Sequence, residues 1–279
     1  MEISLDFGGS TVDMVSWDGD EIVSVSSGEK GDEKWGNGAL GVKLRTADKI
    51  YVTGGKSRFF DDATFGVPIC KVSEIEAIGY GGEYLDCKTQ MVESRLIVVS
   101  MGTGTCMVSV DCKTQTAESR LITTHIGGTG VGGGTFVGLG KELLGISDID
   151  KLLEIGSRGS SGVVDIAVSD IVGGNIGRVS GDATASNFGK LAGEVDFKKE
   201  DLAAGIINLI GQTIGASAAF AAKAEDVSRV VLIGKLTRAT AIVDVVCAIL
   251  HSFDIECAIP ENAPYAVAIG ARIAYNSSC

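Results

Sequence analysis

The chain has 279 residues, 45% of them hydrophobic, with 39 glycines, 3 prolines and a formal net charge of −12. That length buries a large core in one or two domains, and the hydrophobic content excludes a disordered chain. The acidic balance argues against non-specific nucleic-acid binding, which rests on basic patches, but is compatible with a nucleotide held locally by backbone N–H groups and a metal ion.

The seven cysteines, at positions 70, 87, 106, 112, 247, 257 and 279, include no CxxC pair, and there are two histidines. Free thiols are therefore expected rather than a structural zinc site. The opening MEISLDFGG lacks a basic leader with an apolar core, so a cytoplasmic location is expected. Residues 202–222 carry no charge over membrane-spanning length. Asn208, Gln212, Thr213 and Ser217 among alanines and glycines mark that stretch as a buried helix instead.

In chain order, Ile3, Leu5 and Phe7 alternate with Glu2, Ser4 and Asp6, the period of a strand with one buried face. Asp6 falls at the strand's end, before Gly8-Gly9-Ser10. A carboxylate there can hold Mg2+ while the glycine N–H groups meet phosphate. Residues 11–17 read as the return strand, so the tip is both a hairpin turn and a phosphate grip. Residues 21–26 continue the meander, 28–38 read as a loop, 39–47 as a helix and 49–52 as a strand ending at Thr53-Gly54-Gly55. Lys56-Ser57 follow, but Ile50 breaks the GxxxxGK[ST] pattern. Residues 58–63 are helix-like, and a short strand begins at Pro68-Ile69.

Residues 73–85 read as a helix with Ser73 as N-cap and Glu76 at N3, a capping box. Glu74, at N1, points elsewhere and is a candidate general base for a hydroxyl. An internal repeat follows: DCKTQMVESRLI at 86–97 and DCKTQTAESRLI at 111–122. Two copies are too few for a solenoid, and the plain reading is a duplicated polar turn before two strands. Strand 96–100, the tip Gly102-Thr103-Gly104-Thr105 and strand 106–110 echo the opening hairpin. Two similar halves, with both tips aimed at one cleft, are expected.

Residues 125–145 read as strand, glycine loop and helix. Gly127, Gly128, Gly130, Gly132, Gly133 and Gly134 leave backbone N–H groups uncovered ahead of a helix over 135–144, an arrangement suited to an anion. Gly128, Gly130 and Gly133 also fit GxGxxG, a weak signal alone. A NAD-binding unit would place it after the first strand, whereas two hairpins precede it here. Beyond it, 149–155 read as a helix and 165–170 as strand or helix. Thr184 and Ser186 read as caps of a small helix within 181–191. Helix 201–224, strand 229–233 ending at Gly234-Lys235, helix 237–250, strand 255–259 and helix 264–275 complete an α/β pattern.

LDFGGS at 5–10, VTGG at 52–55, SEIEA at 73–77, MGTGT at 101–105, GGGTFVGLG at 132–140, GDATASNFG at 181–189, VLIG at 231–234 and AIGARIAY at 268–275 occur in one order and spacing. In these pieces the chain resembles the type II (eukaryote-like) pantothenate kinases of the sugar kinase, heat-shock chaperone and actin superfamily. The resemblance runs nearly end to end. It implies an α/β fold of two RNase H-like halves, the actin-like ATPase fold, around a nucleotide cleft. The first half would be 1–94, with helix 264–276 packing back on it, and the second 95–279.

The implied activity is ATP-dependent phosphorylation of the primary hydroxyl of pantothenate, or a close relative such as pantetheine, the first step of coenzyme A biosynthesis. Asp6, Gly8, Gly9 and Ser10 would form the first phosphate loop, with Asp6 on Mg2+. Gly102, Thr103, Gly104 and Thr105 would form the second. Gly132, Gly133, Gly134 and Gly234 would border the nucleotide, Glu74 would be the base, and Thr103, Cys106 and His125 would face the acceptor. A homodimer and binding of CoA or acyl-CoA are further expectations; nucleic-acid and membrane partners are not expected.

Three positions depart from the family pattern. Asp13 stands where a lysine is usual, His125 where an arginine binds the substrate carboxylate, and Cys106 where a serine faces the substrate. An arginine fork grips a carboxylate bidentately and a neutral imidazole does not. Lys56 is a candidate for the missing cation. The departures motivate an alternative, a nucleotide- or acyl-CoA-binding pseudokinase or regulatory protein. A third reading, an ATPase activator with an iron–sulfur cluster at a dimer interface, needs a cysteine in the glycine-loop region.

Overall fold

The computed structural model describes residues 1–29, 39–87, 95–112, 121–177 and 179–277. Most of the predicted 28–38 loop, the greater part of the internal repeat, and Cys279 lie outside the described residues. The elements are β1 (Glu2–Phe7), β2 (Thr11–Asp18), β3 (Glu21–Glu29), α1 (Ala39–Arg45), β4 (Lys49–Thr53), α2 (Asp62–Phe65), β5 (Ile69–Lys71) and α3 (Glu74–Cys87). Then come β6 (Arg95–Met101), β7 (Thr105–Asp111), β8 (Ile122–Thr129), α4 (Gly133–Leu144), α5 (Ile149–Gly156), β9 (Ile166–Ala167), α6 (Val168–Val172) and β10 (Thr184–Ser186). The last are α7 (Lys199–Ala224), β11 (Arg229–Ile233), α8 (Thr240–Ser252), β12 (Glu256–Ala258) and α9 (Ala266–Asn276).

Two five-stranded sheets carry the same pattern. The first has the order β3-β2-β1-β4-β5 and the second β12-β11-β6-β7-β8. In each, three antiparallel strands form a meander and two parallel strands extend its first strand on the other side. The first sheet is built from residues 2–71 and the second from residues 95–258.

Helices α3 and α9 lie between the sheets. Val15, Trp17 and Tyr51 of the first sheet share one buried cluster with Leu96, Val98, Val108 and Val231 of the second and with Ala77, Ile78 and Ile269 of the helices. Residues 96–101 are apolar on both faces because both are covered: Ile97, Val99 and Met101 turn to α7 and α8. Ile3, Leu5, Phe7, Ile50 and Val52 turn the other way, against Leu44 and Phe65. Arg272 ties α9 to the first sheet: it donates to Glu2 (2.6 Å) and to the Gly19 carbonyl (2.8 Å), with its guanidinium 4.6 Å from the Trp17 ring.

Helix α7 is long and apolar enough to cross a membrane by length and composition, yet 67% of its most apolar window is buried inside the molecule. Its glycines serve interior packing. A Cβ on Gly211 would lie 2.6 Å from Val245, and one on Gly215 2.9 Å from Ile249, so both permit α7 to lie against α8. Its polar residues point inward as well: Asn208 donates to Asp165 (2.7 Å) and Thr184 (3.0 Å), and Gln212 donates to Thr184 (2.9 Å).

Several expectations need correction. Thr184 and Ser186 are not caps but the ends of β10, and Thr184 accepts bonds from α7, a long-range role that its local sequence does not announce. The 165–170 stretch is a two-residue strand followed by a helix. The 237–250 helix begins at Thr240, because a 3-10 turn over Lys235–Arg238 precedes it. Cys70, Cys87, Cys106 and Cys112 are free thiols, but Cys247 and Cys257 are joined as a disulfide between α8 and β12. Their Cα atoms are 5.6 Å apart, within disulfide reach, a proximity set by helix-on-sheet packing rather than by spacing in the chain.

Candidate active site

Three glycine-rich turns meet at one place. In the β1–β2 hairpin, Asp6 sits opposite Asp13 and, on its other side, opposite Thr53 of β4. The tip touches the β6–β7 tip across the cleft: Ser10 Oγ and Thr103 Oγ1 share a hydrogen bond of 3.0 Å. A Cβ on Gly9 would lie 2.6 Å from Thr103 Oγ1, so that approach requires glycine. Gly54, at φ +86°, closes the end of β4 against the same carboxylate, and a Cβ there would lie 2.6 Å from Asp6 Oδ1.

The loop before α4 is built onto the second tip. Gly133 N–H donates to the Gly102 carbonyl (2.8 Å), Gly134 N–H to the Thr103 carbonyl (2.9 Å), and Gly132 N–H to Thr135 Oγ1 (3.3 Å). This corrects the expectation that these N–H groups are uncovered for an anion. The glycines are needed for close approach: a Cβ on Gly132 would lie 2.8 Å from both Gly104 Cα and the Thr103 carbonyl oxygen. Thr105 Oγ1, buried, donates to the Val131 carbonyl (2.9 Å) and completes the junction. Gly234, at φ +92°, closes the end of β11 against Met101 of β6 and donates to the Ala263 carbonyl (2.8 Å).

Asp6 is half-buried as a residue, but its Oδ1 is shut off from solvent and has no hydrogen-bond partner among the described residues. Burial, then the negative charges of Asp13 and Glu74, push its carboxyl up to about 7, against the opposing charge of Lys235. An orphaned, buried carboxylate oxygen beside phosphate-sized turns fits a divalent ion. Among the described residues no group of three His, Cys, Asp or Glu forms a closed metal cage. Mg2+ takes one or two carboxylates and fills its shell with water and phosphate oxygens.

Glu74 is the first residue of α3 and is exposed, and the Asp6 carboxyl feels its charge. Cys106, half-buried, is paired between Ser100 and Gly128, and its thiol is pushed up by burial and by Glu74. His125 is exposed and sits opposite Val108, two residues along β7 from Cys106. Glu74, Cys106 and His125 thus border the same end of the β7–β8 face, whereas Gly54 closes on Asp6 and the loop before α4 is built on the Gly102–Thr105 tip.

Lys235 is the residue that sequence reasoning missed. From the 3-10 turn after Gly234 it reaches the opening hairpin of the other half. Its Nζ lies 2.5 Å from Asp13 Oδ1 and donates to Ser27 Oγ (2.7 Å) and Thr11 Oγ1 (3.3 Å). Ser27 in turn donates to Asp13 Oδ1 (2.7 Å). Asp13 is therefore a buried carboxylate with a cation in place, which explains how an acid is tolerated there. Lys56 precedes the turn Ser57–Phe59 and makes no ion pair among the described residues, whereas Lys235 is the cation paired with Asp13. The only forward signal was the lysine directly after a strand-end glycine. A hollow of about 350 Å3 between α5, α7 and α8, lined by Ser157, Ser160, Asn208 and Val245 among others, shares no residue with these turns.

The Fumble family model matches residues 21–271 of this chain. A type II pantothenate kinase of Bacillus cereus is 32% identical over 188 residues, an alignment that covers 67% of this chain and 66% of that relative. The chain thus spans just under two thirds of that relative's length. Among solved structures, the activator of 2-hydroxyisocaproyl-CoA dehydratase from Clostridium difficile with bound ADPNP superposes with a TM-score of 0.62 at 18% identity, over 99% of this chain and 96% of that one. A ROK family glucokinase from Streptomyces griseus in complex with glucose and AMPPNP gives 0.61 at 13% identity, over 99% of each chain. These two likenesses establish the fold, the two-lobed actin-like ATPase architecture.

Proposed function

Since this chain belongs to the Fumble family, that of the type II pantothenate kinases, we propose that it is an ATP-dependent kinase acting on the primary hydroxyl of pantothenate or a close relative such as pantetheine. The observation that carries the reading is the contact of the Gly8–Ser10 tip, next to Asp6, with the Gly102–Thr105 tip that the α4 loop buttresses, with the Glu74 charge felt at Asp6. In the transfer, the bond from the γ-phosphorus to the β,γ-bridging oxygen breaks. A bond from that phosphorus to the acceptor oxygen forms, the hydroxyl proton passes to Glu74, and ADP leaves. Asp6 is the residue to hold Mg2+, which when bound supplies charge neutralisation between phosphate oxygens. The Gly8–Ser10 and Gly102–Thr105 tips, bonded to each other through Ser10 and Thr103, fix where the phosphates lie. Gly132, Gly133 and Gly134 buttress the second tip, and Gly234 borders the nucleotide. Positioning of this kind dominates phosphoryl transfer, because the protein has little covalent work to do.

Thr103, Cys106 and His125 flank the acceptor. No arginine stands at position 125 to clamp a carboxylate, which puts pantothenate itself in question and leaves room for pantetheine or another hydroxylated acceptor. The activator reading asks for a cysteine in the glycine-loop region, and the chain has none between Cys112 and Cys247. A homodimer, feedback by CoA species and a cytoplasmic setting belong to the same proposal. The α7 glycines do not support the dimer, since they face α8 and the segment around Val164. The test is ADP release by the purified protein with ATP, Mg2+ and pantothenate, then pantetheine. Turnover with either supports the kinase. ATP binding with no turnover on either would replace it with the non-catalytic nucleotide-binding reading.

A further inference from the structure

The opening hairpin is an unusual place for a triphosphate. Residues 1–29 contain no lysine or arginine, and the acids Asp6 and Asp13 flank the tip, with Glu74 opposite. Among the described side chains of the hairpin itself, a nucleotide carrying about four negative charges meets like charge, and phosphoryl transfer depends on its neutralisation. Among the described residues the cation at the hairpin is Lys235, delivered from the opposite half. Its ammonium has three donors. Two are spent on short contacts to Asp13 and Ser27, at 2.5 and 2.7 Å, and the third reaches Thr11 at 3.3 Å. Thr11 directly follows the Gly8–Ser10 tip.

We propose that Lys235 is the phosphate-binding cation of this site: it is held by Asp13 and Ser27 and exchanges its long contact to Thr11 for a phosphate oxygen of the bound nucleoside triphosphate. The proposal rests on the kinase reading above. It gives Asp13 a role, that of aiming a lysine from across the cleft. A purely structural salt bridge is the competing explanation, and the two differ in what happens when both charges are removed together.

The test compares Asp13→Asn with the double variant Asp13→Asn/Lys235→Met. Affinity for a non-hydrolysable ATP analogue is measured by calorimetry, and kcat and KM for ATP are measured alongside. The double variant leaves no unpaired buried charge, so a structural role alone predicts that it matches Asp13→Asn. The phosphate role predicts analogue affinity lower by roughly tenfold or more, and a further loss in kcat, in the double variant. If the double variant does not fold, Asp13→Asn against Asp13→Asn/Lys235→Gln gives the same contrast, because it too leaves no unpaired charge, and the phosphate role again predicts the lower affinity in the double variant. Equal analogue affinity within either pair overturns the proposal and leaves the kinase reading intact. A wild-type protein that neither binds the analogue nor transfers phosphate overturns both.

Discussion

Gly270 and Gly81 lie against one another where α9 crosses α3: a Cβ on Gly270 would stand 2.5 Å from Gly81 N and 1.9 Å from the Ala77 carbonyl oxygen. The reciprocal position is as tight, since a Cβ on Gly81 would lie 2.0 Å from the Ala266 carbonyl oxygen. The atoms in the way are backbone, so they cannot turn aside as a side chain would. This crossing joins α3, with Glu74 at its start and the second sheet behind it, to α9, which packs on the first sheet.

Gly270→Ala should therefore destabilise the protein by about 3 kcal/mol, at the upper end of overpacking costs. Gly138→Ala, in α4 with no atom near its Cβ position, should stabilise it by about 0.5–1 kcal/mol through reduced freedom of the unfolded chain. Urea unfolding of both variants checks the pair. Equal effects would mean that the α3–α9 contact is loose.

Glu74→Gln keeps the size of the side chain and removes the proposed base. The expected result is a kcat lower by roughly 10²–10⁴, with affinity for an ATP analogue undiminished. Single-turnover kinetics separate the two. A rate within about threefold of wild type would move the proton acceptor elsewhere.

Asp6 gives the protein a pH signature. Its carboxyl is raised from the ordinary 3.8 to about 7 by burial and by neighbouring acids. Between those values the native state holds the proton and the unfolded state does not, so this contribution to stability is fully present below about pH 4 and is lost as pH rises through about 7. The thermal midpoint of the ligand-free protein should fall over that interval, and Asp6→Asn should flatten the fall. Mg2+ affinity should rise over the same interval in wild type, because the ion needs the ionised carboxylate. Thermal unfolding against pH, with and without Mg2+, reads both; identical profiles for wild type and Asp6→Asn would remove Asp6 as the source.

Gly132→Ala would push a methyl group against Gly104 Cα and the Thr103 carbonyl oxygen, both backbone atoms at 2.8 Å. The second tip and the α4 loop must then separate, which strains the Gly133 N–H bond to Gly102. Stability should fall by about 1–3 kcal/mol and ATP-analogue affinity by tenfold or more. Unchanged affinity in a destabilised variant would show that this loop only supports the fold.

What the sequence determined by itself was local. The alternation of Ile3, Leu5 and Phe7 announces β1, the glycine tips announce the turns, and Glu74 falls at N1 of α3 as expected. These features depend on side-chain period and turn chemistry between near neighbours in the chain, and those are written residue by residue. What only the tertiary structure decided was which groups answer one another across the cleft. Gly133 and Gly134 spend their N–H groups on the second tip instead of keeping them for an anion. Cys247 meets Cys257 because α8 lies on β12. Asp13, an anomaly in sequence, is matched by Lys235 from the other half of the molecule. In each case the partner's position follows from how strands, loops and helices pack in three dimensions, and no local pattern around either residue encodes a distance between them.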